Sequence, residues 1–83
     1  MDRVFIVSGI VRGYSVNYGY YKTESSALAG LEKQAESFRS KGFTVEHLEA
    51  IRQFNEHAEI LLYDGPECEY YGHIRVHSQP LND

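Results

Sequence analysis

Apolar and polar residues alternate along most of this chain, and one stretch breaks the alternation with a helical period. Val4-Phe5-Ile6-Val7 and Ile10-Val11 form a run that is apolar on both faces, the pattern of a strand buried on two sides. Arg12-Gly13 can turn the chain. From Tyr14 to Tyr21 the alternation is strict. Tyr14, Val16, Tyr18 and Tyr20 face one way, and Ser15, Asn17, Gly19 and Tyr21 face the other. The two runs are expected to pair as an antiparallel hairpin.

Thr23 is a suitable N-cap, and Glu24 beside it complements the positive end of a helix dipole. Leu28, Leu31, Ala35 and Phe38 recur at helical spacing, with Glu32, Lys33, Glu36 and Arg39 elsewhere on the cylinder. Lys41-Gly42 ends the pattern, the glycine providing a left-handed cap. The spacing predicts a helix over 24–41.

Residues 43–55 fit two descriptions. Phe43-Thr44-Val45 directly after a glycine-capped helix is a common entry to a strand. Val45, Leu48, Ile51 and Phe54, at intervals of three, would equally suit a second helix capped by Thr44. Strand is the favoured expectation.

Beyond it, His57–Tyr63 and Glu69–His77 alternate around Asp64-Gly65-Pro66, a hairpin signature. With Leu61 opposite Tyr71, an inner face takes Ala58, Ile60, Leu62, Tyr70, Ile74 and Val76. The outer face then takes His57, Glu59, Leu61, Tyr63, Tyr71, His73, Arg75 and His77. The polar tail, 78–83, is expected to fray.

The element order is ββαβββ, or ββααββ if 44–55 is helical. Either is α+β: a two-layer sandwich with an antiparallel sheet and helix 24–41 packed on one face. The chain's 83 residues make a single small domain. One helix cannot cover five strands, so the opposite face or an unpaired edge needs polar residues or a partner.

Charge sharpens the partner question. From Thr44 to Glu69 there are seven carboxylates (Glu46, Glu49, Glu56, Glu59, Asp64, Glu67, Glu69) against Arg52 alone. Residues 1–43 carry six bases against four acids. An acidic second half repels nucleic acid and anionic membrane and attracts basic protein surfaces. One cysteine cannot close an internal disulfide, which fits a reducing, cytoplasmic setting. No apolar run approaches the ~20 residues of a membrane span.

Candidate chemistry is sparse. His73 and His77 on a strand stand ~13 Å apart, too far to share an ion, so no metal site and no cofactor is expected. Cys68, between Glu67 and Glu69, is a poor thiolate. Glu59 with His73, and His57 with Arg75, would be cross-strand neighbours, and an imidazole beside a carboxylate can move protons. On an open sheet face such pairs are ordinary ion pairs. Gly9, Gly13 and Gly19 match no phosphate loop. No catalytic motif is present, and the chain is expected not to be an enzyme.

The seven tyrosines all fall in strand segments. Tyr14, Tyr18 and Tyr20 suit a half-buried face under the helix. The leading functional expectation is a non-catalytic protein-binding module: a small inhibitor, adaptor or regulator, of the kind common among phage and mobile-element accessory proteins, including inhibitors of host defence. Its partner-binding surface would be Glu59, Leu61, Tyr63, Glu69, Tyr71 and His73, facing a basic partner, or a sheet edge would form a homodimer. Two alternatives differ in kind. Tyr18, Tyr20 and Tyr21 with Arg12 and Lys22 could stack and hold RNA or single-stranded DNA. The carboxylates could also mimic phosphates and block a nucleic-acid-binding protein.

Overall fold

A computed structural model describes residues 3–48, 56–65, 67 and 69–80. Six elements follow one another: β1 (Arg3–Val11), β2 (Tyr14–Tyr21), α1 (Glu24–Ser40), β3 (Thr44–Leu48), β4 (Glu56–Asp64) and β5 (Glu69–Pro80). The strands form one antiparallel sheet in the order β2-β1-β5-β4-β3, and α1 packs on one face of it. This is the two-layer α+β arrangement in its ββαβββ order. Residues 44–48 are a strand; 49–55 lie outside the described residues.

The local rules place most element ends. Val11 pairs with Tyr14, so Arg12 and Gly13 are a two-residue loop, both at positive φ (55° and 81°). Such a turn matches the twist of the strands it joins. The Thr23 hydroxyl accepts the Ser26 N–H at 3.1 Å and caps α1. At the other end Gly42, at φ 94°, lets the N–H groups of Gly42 and Phe43 reach back to the carbonyls of Arg39 and Phe38.

The core lies between α1 and the inner face of the sheet. Val7, Ala27, Leu31, Ala35, Phe38, Ile60, Leu62, Ile74 and Val76 are buried there. Burial of each of the larger aliphatic side chains contributes about 1.5–3 kcal/mol. Phe38, Phe43 and Tyr71 complete it as an aromatic corner, with ring centroids 4.5 Å apart for Phe43 and Tyr71.

Strict alternation fails at three places, each a shift in strand register. β1 against β2 shifts between Val7 and Ser8, so Tyr18 is the extra residue. β4 against β5 shifts between Glu56 and Ala58 and again between Leu62 and Tyr63, which sets His57 and Tyr71 apart from the ladder. An extra residue moves everything beyond it to the opposite face.

Three expectations are corrected by these bulges. Tyr20 points away from the helix while Tyr21 packs against α1, the reverse of the alternating assignment. Tyr71 joins the core, and Tyr70 takes its place on the outer face. His57 turns to the helix side, where its ring meets Phe5 edge-on at 5.2 Å.

The register of the last hairpin also differs by two residues from the expected one. Leu61 lies opposite His73, not Tyr71, and Glu59 lies opposite Arg75, not His73. The chain end is corrected too. Ser78, Gln79 and Pro80 pair with Phe5, Val4 and Arg3, so β5 runs to Pro80 where fraying was expected. Ser78 is only 4% exposed, and its hydroxyl joins Arg3 and His57 in hydrogen bonds of 3.0 and 2.8 Å.

Candidate docking face of the sheet

Among the described residues, no element forms a second layer on the face of the sheet opposite α1. Pairing sets its residues out in rows across the strands. Tyr20, Ile6 and His77 form one row; Asn17, Ser8, Arg75, Glu59 and Leu48 the next. Ser15, Ile10, His73, Leu61 and Glu46 form a third, and Tyr70, Tyr63 and Thr44 a fourth.

Two kinds of surface result. At the end near the β4–β5 turn, Tyr63 and Tyr70 pack edge to face with centroids 6.2 Å apart. Beside them Asp64, Glu67 and Glu69 gather around Gly65 at the turn. In the middle, β5 carries His73, Arg75 and His77 in succession at alternate positions. Ile10, Tyr20 and Tyr70 are 44, 67 and 59% exposed, large apolar bodies in water on one face.

Polar contacts fix several of these groups. The Arg75 guanidinium and the Glu59 carboxylate lie 2.9 Å apart across the β4–β5 ladder. Both are partly exposed, and such a cross-strand pair contributes at most about 1 kcal/mol. The Tyr70 hydroxyl lies 2.7 Å from His73 Nδ1. The phenol donates to Nδ1 in one neutral tautomer of the imidazole and accepts from Nδ1–H in the other.

The expected site residues divide accordingly. Glu59, Leu61, Tyr63 and His73 share the uncovered face. Glu69 stands at the turn opposite Asp64, and Tyr71 is in the core. Among the alternative set, Tyr18 and Tyr21 pack toward α1, Tyr20 is on the uncovered face, and Arg12 and Lys22 are exposed at opposite ends of β2. Burial, and then the neighbouring Tyr71, push the Tyr18 phenol above its ordinary value. Ile10 and Tyr70 were missed as surface residues. Ile10 sits in a run that reads as buried on both sides, and the bulge at Tyr71 conceals the side Tyr70 takes.

Among the described residues, no group of three or more His, Cys, Asp or Glu side chains is placed to hold a metal ion, and no helix is long and apolar enough to cross a membrane. Comparison with protein-family models, with curated proteins and with solved structures gave no significant match.

Proposed function

We propose that the uncovered sheet face docks a partner protein, and that the chain acts as a small non-catalytic binding module, an inhibitor, adaptor or regulator. The observation that carries this reading is the exposure of Ile10, Tyr20 and Tyr70 on the sheet face that α1 does not cover. Tyrosine is favoured at interfaces because it offers a large rigid contact area and a polar tip at low entropic cost.

The docking centre is the Tyr63–Tyr70 pair, and the carboxylates of Asp64, Glu67 and Glu69 form its rim. An aromatic centre with an acidic rim suits a partner bearing lysines and arginines. Glu59 contributes less to such attraction than its position suggests, since Arg75 already meets it at 2.9 Å.

The test is quantitative binding to a partner captured from the source cells, with wild type and two variants. Tyr70→Ala should weaken binding at least about tenfold, as truncation of a buried interface tyrosine does. Asp64→Lys with Glu69→Lys should weaken it further and reduce its dependence on salt. Wild-type affinity in both correctly folded variants would remove the proposal. Gel-shift titration at low salt runs beside it, since single-stranded nucleic acid held through Arg12, Tyr20 and Lys22 would show there first.

A further inference from the structure

We propose that docking on this face is pH-sensitive: His73 and His77 weaken its hold on a basic partner as their imidazoles take up protons in mild acid. The inference rests on the reading of the face as a surface for such a partner, and concerns the regulation of that surface. Alternation along β5 turns both histidines to the uncovered side. Both are half-buried, and both line the shallow depression that Ser8, Ile10 and Ser15 border from β1 and β2, so solvent reaches their rings. An imidazole changes charge between about pH 5 and 8, a span in which lysine and arginine keep theirs. The direction follows from charge. Each proton taken up adds a positive charge to a surface that attracts its partner through carboxylates.

His73 is joined directly to the docking centre. Its Nδ1 lies 2.7 Å from the hydroxyl of Tyr70, which packs edge to face on Tyr63. A protonated ring carries hydrogen on both nitrogens, so the phenol can then only accept from it. Protonation thus changes both the charge beside Tyr70 and the hydrogen-bonding role of its hydroxyl. The groups that face the two rings belong to the sheet. For His73 the titratable and charged ones are Tyr70 and Arg75 on β5, Glu59 and Tyr63 on β4, and Glu46 at the β3 end of its row. For His77 they are Arg75 on β5, Glu56 paired with it on β4, and Tyr20 at the β2 end of its row. β1 presents Ile6, Ser8 and Ile10, none of which titrates. Arg75 and Glu59 are already paired at 2.9 Å and largely cancel each other. The attraction that remains comes from Asp64, Glu67 and Glu69 at the turn, and imidazolium charge on β5 offsets it.

The experiment is an NMR titration of the isotope-labelled full chain with hexalysine at low salt, run at about pH 7.5 and about pH 5.5, toward the two ends of the imidazole range. Saturable shifts at Tyr63, Asp64, Glu69 and Tyr70 are expected at the higher pH, with affinity about fivefold lower at the lower pH. At intermediate pH the loss should follow the ring signals of His73 and His77. His73→Gln with His77→Gln should make affinity nearly level across the range. An equal loss in that folded double variant would assign the effect to carboxylates and overturn the proposal. Ring signals that change over a different pH span from the affinity would overturn it in the wild-type protein alone. Equal wild-type affinity at both pH values, with the shifts in place, would overturn it and leave the docking reading standing. Absence of saturable shifts at the higher pH would remove both.

Discussion

The Tyr21 phenol lies so close to Gly30 that a Cβ built on the glycine would stand 2.4 Å from the Tyr21 hydroxyl oxygen and 2.8 Å from Cζ. Gly30 is thus the point where the edge strand β2 touches α1. Gly30→Ala gains about 1 kcal/mol of helix propensity but forces the ring aside, and overpacking costs about 1–3 kcal/mol. The expected net result is a loss of about 1 kcal/mol in urea unfolding. Tyr21→Phe in that background removes the nearest atom and should recover part of it. A stabilised Gly30→Ala protein would show the contact to be loose.

Gly9 has less room still. An added Cβ would fall 1.9 Å from the His73 carbonyl oxygen, which belongs to the backbone of the neighbouring strand and cannot rotate away. Gly9→Ala is therefore expected to cost about 3 kcal/mol or more, above the usual overpacking range, because two central strands must separate. Circular dichroism and chemical denaturation check this, and a midpoint near that of wild type would contradict it.

The buried Ser78 hydroxyl serves Arg3 and His57 together, and so joins both ends of the chain to the bulge in β4. Ser78→Ala should cost about 1–2 kcal/mol, since two polar groups lose a shared partner in a part-buried place. Amide exchange should quicken in Arg3–Phe5 and Ser78–Pro80 ahead of the rest of the sheet. Uniform exchange rates across β5 would count against the idea.

Alkaline pH acts through Tyr18. Burial raises its folded-state phenol above the ordinary value near 10, with Tyr71 adding to the rise. The sign follows from proton counting. Above the unfolded pKa the unfolded chain has lost the proton while the folded chain keeps it, so unfolding releases a proton. Stability from this group is complete below about pH 10 and falls as pH rises through the folded value. Tyr18→Phe should flatten the decline that sets in near pH 10. Identical declines in the two proteins would remove the assignment.

The element order, the helix and the inner aliphatic residues of β4 and β5 were legible because each rests on a period sustained over several residues. Ala58, Ile60, Leu62, Ile74 and Val76 all face the core as their alternation requires. What period 2 could not show is where it breaks. Gly19, at φ 139°, follows the extra residue Tyr18 and Gly72 follows the extra residue Tyr71, but a strand glycine does not say which neighbour is the extra one, and nothing beside the third, His57, announces a bulge. Two of the three are aromatics whose burial against Phe38, Phe43 and α1 compensates the interrupted ladder, a tertiary gain that no local pattern contains. The docking face was displaced with them. Tyr70 replaced Tyr71, and Arg75 rather than His73 met Glu59, while Leu61, Tyr63 and His73 stayed where alternation put them.

The strand order carries a kinetic consequence. β5, last of the five along the chain, holds the middle of the sheet, with β1 on one side and β4 on the other. Until it emerges, no strand joins the β1–β2 hairpin to β3 and β4, which meet only through α1, and each half of the sheet offers an unpaired edge to any other chain. Pairings such as Val4 with Gln79 close nearly the longest loops available to the molecule, so assembly should be slow for a domain of this size. A ribosome would have to finish β5 before the sheet could close, and the interval before that is when the chain is most open to aggregation or to a chaperone.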